Sequence, residues 1–449
     1  MIVTNGKIIT WEQPGRILEG YALRIIGSKI VEIAIQPELL EKYPQEERLD
    51  AHSQYIMPGN ICAHTHFYGA FSRGMGIPGS APKDFPEILE KLWWSLDKAL
   101  TLEDVRYSTL VCLIDAVKHG TTTLIDHHAS PNAIGGSLTE VALAVQEAGV
   151  RASLCYEVTD REGEAGTKDG IAENIRFINA VRVDKSGKLA ATFGLHASLT
   201  LSEKTLEACR AACPDDVGFH VHVAEHPVDE YDSLQKCGER VVDRLERHGI
   251  LGPRSIAVHA VHVDVREIEL LAASQTWVTH QPRSNMNNAV GMSQPDAMMR
   301  AGIKVCLGND GFSNQMWQEW KTAYLAHKLW NHDPRRMSGT DVVQMAVYNN
   351  ASLAEQQFGV GPIGVLTPGA EADLIFVDYH PFTELTAGNL PWHIIFGFHE
   401  SMVTTTMVGG RVLMHDRQLL TLDEEKITYE ARKLSAETWK RYNAIAQNH

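Results

Sequence analysis

Residues 61–67 read ICAHTHF, and two histidines, His64 and His66, stand one residue apart at the end of an apolar run. If the run is a strand, side chains at i and i+2 point the same way, so both imidazoles can aim at one point. His222 closes another apolar run, FHVHV, and Asp310 follows a third in KVCLGND. Three imidazoles and one carboxylate, with a position left open for water, make the ligand set of a catalytic Zn2+ or Fe2+ site. HVHVAEH holds a second pair, His220 and His222, either of which could face inward. Glu225, three residues after His222, favours His222 and leaves His220 a structural role. An HxH pair alone is a three-residue signal that a hydrogen-bonded core would also produce. Its combination with LGNDG, in that chain order, carries the metal reading.

The elements that must position these residues are short apolar runs alternating with amphipathic stretches. The runs are YIMPGNICAH, TTTLIDHH, RASLCYEV, LAATFGLH, VGFHVHVAEH, SIAVHAVH, TWVTHQP and IKVCLGND. Stretches such as SLTEVALAVQEAG, SEKTLEACRAAC, GERVVDRLERHG and PDAMMRAG lie between them, and several end at glycine, as helices do. The alternation predicts an α/β fold, a (β/α)8 TIM barrel over residues 58–359, whose strand ends form one face where active sites are built. An open doubly wound sheet is the alternative, and no GxGxxG follows the first strand to support it. His127, His128, His196, His259 and His280 also fall at strand ends. Asn5-Gly6, Gly27-Ser28 and Gly409-Gly410 read as two-residue hairpin turns between β-branched runs. They predict a small β-sandwich-like domain built from both chain ends, 1–57 and 360–420, followed by a C-terminal helix over 421–449.

The chain has 449 residues, 44% of them hydrophobic and 22% charged, which is globular composition with ample material for a large core. A net charge of −15 disfavours a nucleic-acid partner, and the HxE…PCxxC signature of nucleic-acid deaminases is missing. No apolar run is long enough to span a bilayer, and Asn5, Lys7 and Glu12 break up the opening stretch, so it does not read as a secretory signal. The seven cysteines are scattered without a CxxC pair, which predicts a reduced, cytoplasmic protein.

In their order, PGNICAHTHF, HVHVAEH, VHAVH and LGNDGFSN resemble the amidohydrolase superfamily. Within it they are similar to the mononuclear-metal deaminase and chlorohydrolase branch, along essentially the whole chain. The resemblance implies one divalent ion, Zn2+ foremost and Fe2+ as alternative, on His64, His66, His222 and Asp310. It implies that Glu225 shuttles protons, that His259 hydrogen-bonds the nucleophilic water and that His196 touches substrate. Asn309 departs from the branch, which usually carries Thr there. The fourth run ends without the lysine that binuclear members use, which supports a single ion. The implied reaction is hydrolytic deamination of an aminated N-heterocycle: a purine, pterin, pyrimidine or triazine. Hydrolysis of a C–Cl, amide or cyclic amidine bond on the same centre is the alternative. A non-catalytic relative is disfavoured by the intact ligand set.

The long segment after the first run holds turn residues and then Trp93 and Trp94, a pattern for a lid with an aromatic wall suited to a flat ring. Trp93, His128 and Arg73 are candidate substrate contacts beside His196, although only one of His127 and His128 should reach the pocket. TDREGEAGTKDG, after the third run, reads as a polar loop near the mouth. Homo-oligomerisation is possible on this fold, with the tryptophans of 314–330 as candidate contacts or core. Replacing His222 by alanine is expected to lower bound metal, measured by elemental analysis; full occupancy would remove His222 from the ligand set.

Overall fold

The computed structural model describes residues 1–447; Asn448 and His449, the end of the expected C-terminal helix, lie outside them. Eight strands carry the alternating part of the chain: β1 Asn60–Thr65, β2 Thr121–Asp126, β3 Arg151–Leu154, β4 Phe193–Ala197, β5 Phe219–Val223, β6 Ile256–His259, β7 Trp277–His280 and β8 Val305–Leu307. All are buried along their length, as parallel strands covered on both faces must be. β1, β2 and β3 form one parallel arc, and β4 to β8 form a second in chain order. The fourth apolar run serves both. Leu189–Ala191 pairs with β3, the strand breaks at Thr192, and β4 pairs with β5. At the other seam Asp310 bridges Thr65 in parallel, and His66 N donates to Asp310 O at 2.6 Å.

The helices between strands start and stop as their sequences direct. Ser137–Ala148 ends at Gly149, whose φ of +90° only glycine adopts without strain. Glu203–Ala212 is capped by the Ser202 side chain, and Val265–Ala273 by a capping box of Asp264 and Glu267. The expected loop TDREGEAGTKDG is different. Its second half opens a helix, Gly163–Val183. Gly170 lies where a side chain would stand 3.2 Å from the Tyr156 ring, so the glycine there serves close packing against the strand end.

The chain ends build two further sheets. One orders as 29–35, 21–26, 2–4, 48–50; the other as 418–419, 411–415, 403–408, 374–377, 55–58, 7–9, 17–18, so strands from both ends share it. Val3, Leu23, Ile30, Ile56, Leu374 and Phe376 form one of their shared cores. Gly27-Ser28 and Gly409-Gly410 are hairpin turns as expected. Asn5-Gly6 is not. Ile2–Thr4 pairs with 21–26 and 48–50, whereas Lys7–Ile9 pairs with 55–58 in the other sheet, so the turn crosses between layers. The helix Glu424–Ala446 lies against the segment after β1: Trp439 Nε1 donates to Phe71 O at 2.7 Å and Tyr442 Oη to Lys91 O at 2.9 Å. Among the described residues no helix is long and apolar enough to cross a membrane.

One ion cluster joins the parallel arc to the mixed sheet. Arg151, at the start of β3 and 2% exposed, donates Nε to Asp373 at 2.6 Å and Nη2 to Glu371 at 2.6 Å. Removing one partner of a buried pair leaves an uncompensated charge. Arg151→Ala is therefore expected to destabilise the protein by about 3–5 kcal/mol, read as a lowered denaturant midpoint; a loss below about 1 kcal/mol would show that the cluster is not a structural clamp.

Candidate metal centre and substrate cavity

His64 lies within β1 and His66 just beyond it, His222 lies in β5, His259 closes β6, and Asp310 stands three residues past β8. Their side chains meet. His64 Nε2 and His66 Nε2 are each 3.1 Å from Asp310 Oδ1, and His222 Nε2 is 3.3 Å from His66 Nε2. His64, His222, His259 and Asp310 each offer a donor atom within 4.8 Å of the others, so His259 belongs to the same cluster. His259 and Asp310 have φ of +69° and +62°. A non-glycine residue held in that region costs about 1–3 kcal/mol and persists only where its surroundings enforce it.

What directs the Nε2 atoms inward is the use made of each Nδ1. His66 Nδ1 donates to His127 O at 2.5 Å and His222 Nδ1 to His196 O at 2.9 Å. His64 Nδ1 pairs with His220 Nε2 at 2.9 Å. With the Nδ1 protons of His66 and His222 spent on carbonyls, their Nε2 atoms face the cluster. Burial pushes His64 down to about 3 and His222 well below the usual imidazole range. Burial also opposes charge on His66, but Asp310 outweighs it and raises that ring to about 9. Asp310, likewise buried, is held well below the carboxylate range by its bonds with His64 and His66. Ser284 Oγ donates to its other oxygen, Oδ2, at 2.5 Å. One carboxylate and three imidazoles that converge through their Nε2 atoms suit a divalent transition metal.

Glu225 and His259 adjoin this cluster. Glu225 Oε2 is 3.3 Å from His259 Nε2, and Glu225 Oε1 is buried without a hydrogen-bond partner. Burial, then the nearby Asp310, raises the Glu225 carboxyl well above its ordinary range, which favours its protonated form. His259 Nδ1 donates to Asn285 Oδ1 at 2.9 Å, which leaves Nε2 as an acceptor for that proton.

A cavity opens over the cluster. Tyr68, Phe85, Trp93 and Trp94 give it an aromatic wall, and Asp97, Glu157 and His196 line it too. The segment carrying Phe85 and Leu89 packs on Val261 and Val290 across the mouth. Trp93 and His196 thus stand at the cavity. His196 Nδ1 bonds Thr200 Oγ1 at 2.7 Å, and burial pushes the ring down to about 4. His128 is buried, bonds Ser130 Oγ at 2.9 Å, and is not among the lining residues. His127 lies beneath the cluster, its ring 4.7 Å from that of His222. Arg73 is exposed and is not a lining residue. Asn309 turns to Asn314 Oδ1 at 2.9 Å, so the departure at this position braces the loop after β8. Sequence reasoning missed Glu157, Asp97 and Arg161. Glu157 does end the third run, and a survey of strand-end carboxylates as well as histidines would have found it.

The sequence profile of the amidohydrolase family matches residues 55–413. The 5′-deoxyadenosine deaminase of Methanosarcina mazei is 30% identical over 449 residues, covering 99% of each chain. The 5-methylthioadenosine/S-adenosylhomocysteine deaminase of Pelotomaculum thermopropionicum is 30% identical, covering 96% of this chain and 97% of its own. Among solved structures, an adenosine deaminase from Xanthomonas campestris with bound zinc superposes with a TM-score of 0.85 at 22% identity, covering 97% of this chain and 98% of that one.

His220 touches His64 at its outer nitrogen and reaches Cys155 Sγ at 3.7 Å on its own other side. Losing such an outer partner typically costs about 10–100-fold in metal affinity. His220→Ala is expected to weaken metal binding by that factor in a chelator competition; unchanged affinity would show that His64 needs no support.

Proposed function

Because the chain belongs to the amidohydrolase family, and is an aminohydrolase acting on C–N bonds, we propose that its two parallel arcs close into one (β/α)8 barrel and that the cavity at their ends deaminates a 6-aminopurine nucleoside. The observation that carries this reading is a carboxyl group, Glu225, buried directly beside a cluster of metal-type donors.

The ion is Zn2+, held by His64, His66, His222 and Asp310; when bound it supplies the Lewis acidity that brings the pKa of water from ~15.7 to roughly 7. The remaining work falls to the chain. The aromatic wall stacks a flat ring and excludes water from one face. Glu225 delivers its proton to a ring nitrogen next to the amino-bearing carbon, which makes that carbon electrophilic. Asp310 accepts the proton that the attacking water gives up, while Ser284 keeps its second oxygen from turning. His259, fixed by Asn285, holds Glu225 in place through Nε2. A proton returned to the exocyclic nitrogen lets ammonia leave, and the carbon keeps the oxygen of the water.

Glu225→Gln keeps the shape of the side chain and removes its proton transfer. General acid–base groups contribute about 10²–10⁴-fold, so ammonia release from a panel of aminated purines, pterins, pyrimidines and triazines is expected to fall by at least about 100-fold while metal content holds. Activity within about tenfold of the unaltered enzyme would exclude the shuttle role, and release of chloride or ring-opened product without ammonia would exclude deamination.

A further inference from the structure

Among the described residues the cavity is lined by five carboxyl groups, Asp97, Glu157, Glu225, Asp229 and Asp310, and by neither lysine nor arginine. Glu225 and Asp310 belong to the reacting centre. Asp229 accepts from the backbone N–H of Leu199 at 2.8 Å and of Ala224 at 2.9 Å, so its two oxygens are occupied. Asp97 and Glu157 remain as the acidic part of the wall beside Trp94 and His196, with Asp97 pushed up by burial to about 7. The positive group that serves them is Arg161. Its guanidinium is 2.9 Å from Asp97 and 3.3 Å from Glu157, and it lies over the Trp94 ring at 5.0 Å. It stands behind the wall, outside the cavity lining. One guanidinium is shared between two carboxylates, and Asp97 Oδ1 is buried with no hydrogen-bond partner. His196 adds no positive charge, since burial keeps it neutral near pH 7.

From this distribution we infer that the cavity accepts substrates whose ring substituent is uncharged or cationic and rejects those carrying a phosphate or carboxylate. The inference rests on the deaminase reading and specifies its substrate class. An anionic substituent entering beside Trp94 meets carboxyl oxygen at close range and finds no lysine or arginine in the lining to pair with. At low effective dielectric such a like-charge contact is strongly unfavourable, and selectivity built from repulsion needs no contact specific to the favoured ligand. A hydroxyl or ammonium group instead supplies the donor that Asp97 Oδ1 lacks.

The test uses the metal-loaded enzyme and matched sets of aminated nucleosides, one on a purine and one on a pyrimidine. Each set has three forms, with a 5′-hydroxyl, a 5′-ammonium or a 5′-phosphate, and kcat/KM is read from ammonia release. The phosphate form is expected to be at least about 100-fold poorer than the other two. Asp97→Asn, which keeps one oxygen for Arg161, is expected to narrow that ratio by about tenfold while metal content stays unchanged. A phosphate form used as well as the hydroxyl form would overturn the inference and leave deamination standing, as would a ratio untouched by the substitution. Ammonia from no member of either set would overturn the deaminase reading, and the inference with it.

Discussion

The arrangement depends on what each ligating imidazole does with the nitrogen turned away from the site. A free imidazole can present either nitrogen and can rotate about two bonds. His66 and His222 lose that freedom because their Nδ1 protons are given to the main-chain oxygens of His127 and His196, and His64 loses it to the ring of His220. These partners are strand-end backbone and a buried side chain, the most rigid material available. Convergence of three Nε2 atoms towards Asp310 follows.

Burial then separates the two carboxyl groups of the reacting centre. Both Asp310 and Glu225 are withdrawn from water, which by itself favours their neutral forms. Asp310 has two imidazoles against one oxygen and a hydroxyl against the other, so it stays ionised. Glu225 has an oxygen with no partner and the charge of Asp310 nearby, which favours its protonated form. One environment thus shifts two carboxyl groups in opposite directions, the division that the proposed deamination uses. Glu157 and Asp97 repeat the theme along the wall, with Arg161 as shared counter-charge.

The lid and its support show how far apart in the chain the cavity's parts come from. The aromatic wall is carried by the segment after β1, which rests on Val261 and Val290 on one side and is held by Trp439 and Tyr442 of the C-terminal helix on the other. Arg151 ties the opposite end of the parallel arc to the sheet shared by the two chain ends. The segment that covers the cavity and the strands that floor it are therefore each anchored to the C-terminal part of the chain.

Features with a local cause were legible in the amino-acid sequence. The spacing of two puts His64 and His66 on one side of a strand; Gly27-Ser28 and Gly409-Gly410 make hairpins because φ is positive at Gly27, Gly409 and Gly410; apolar runs of four to six residues between capped helices give parallel strands. Asn5-Gly6 carries the same turn chemistry yet crosses between sheets, because a turn sets its own backbone angles and not the partners of the strands beside it. The glycine-rich stretch at 163–170 is helical because packing against Tyr156 outweighs its weak propensity. The sequence alone determined which residue types were available to bind a cation and the order of the strands that carry them. Only the tertiary structure decided that Glu225 favours its neutral form, that His220 serves His64, that His128 turns to Ser130 and that Arg161 sits behind Asp97 and Glu157. Protonation and orientation depend on burial and on side-chain partners, some two residues away and some more than a hundred, and those contacts exist only once the chain has folded.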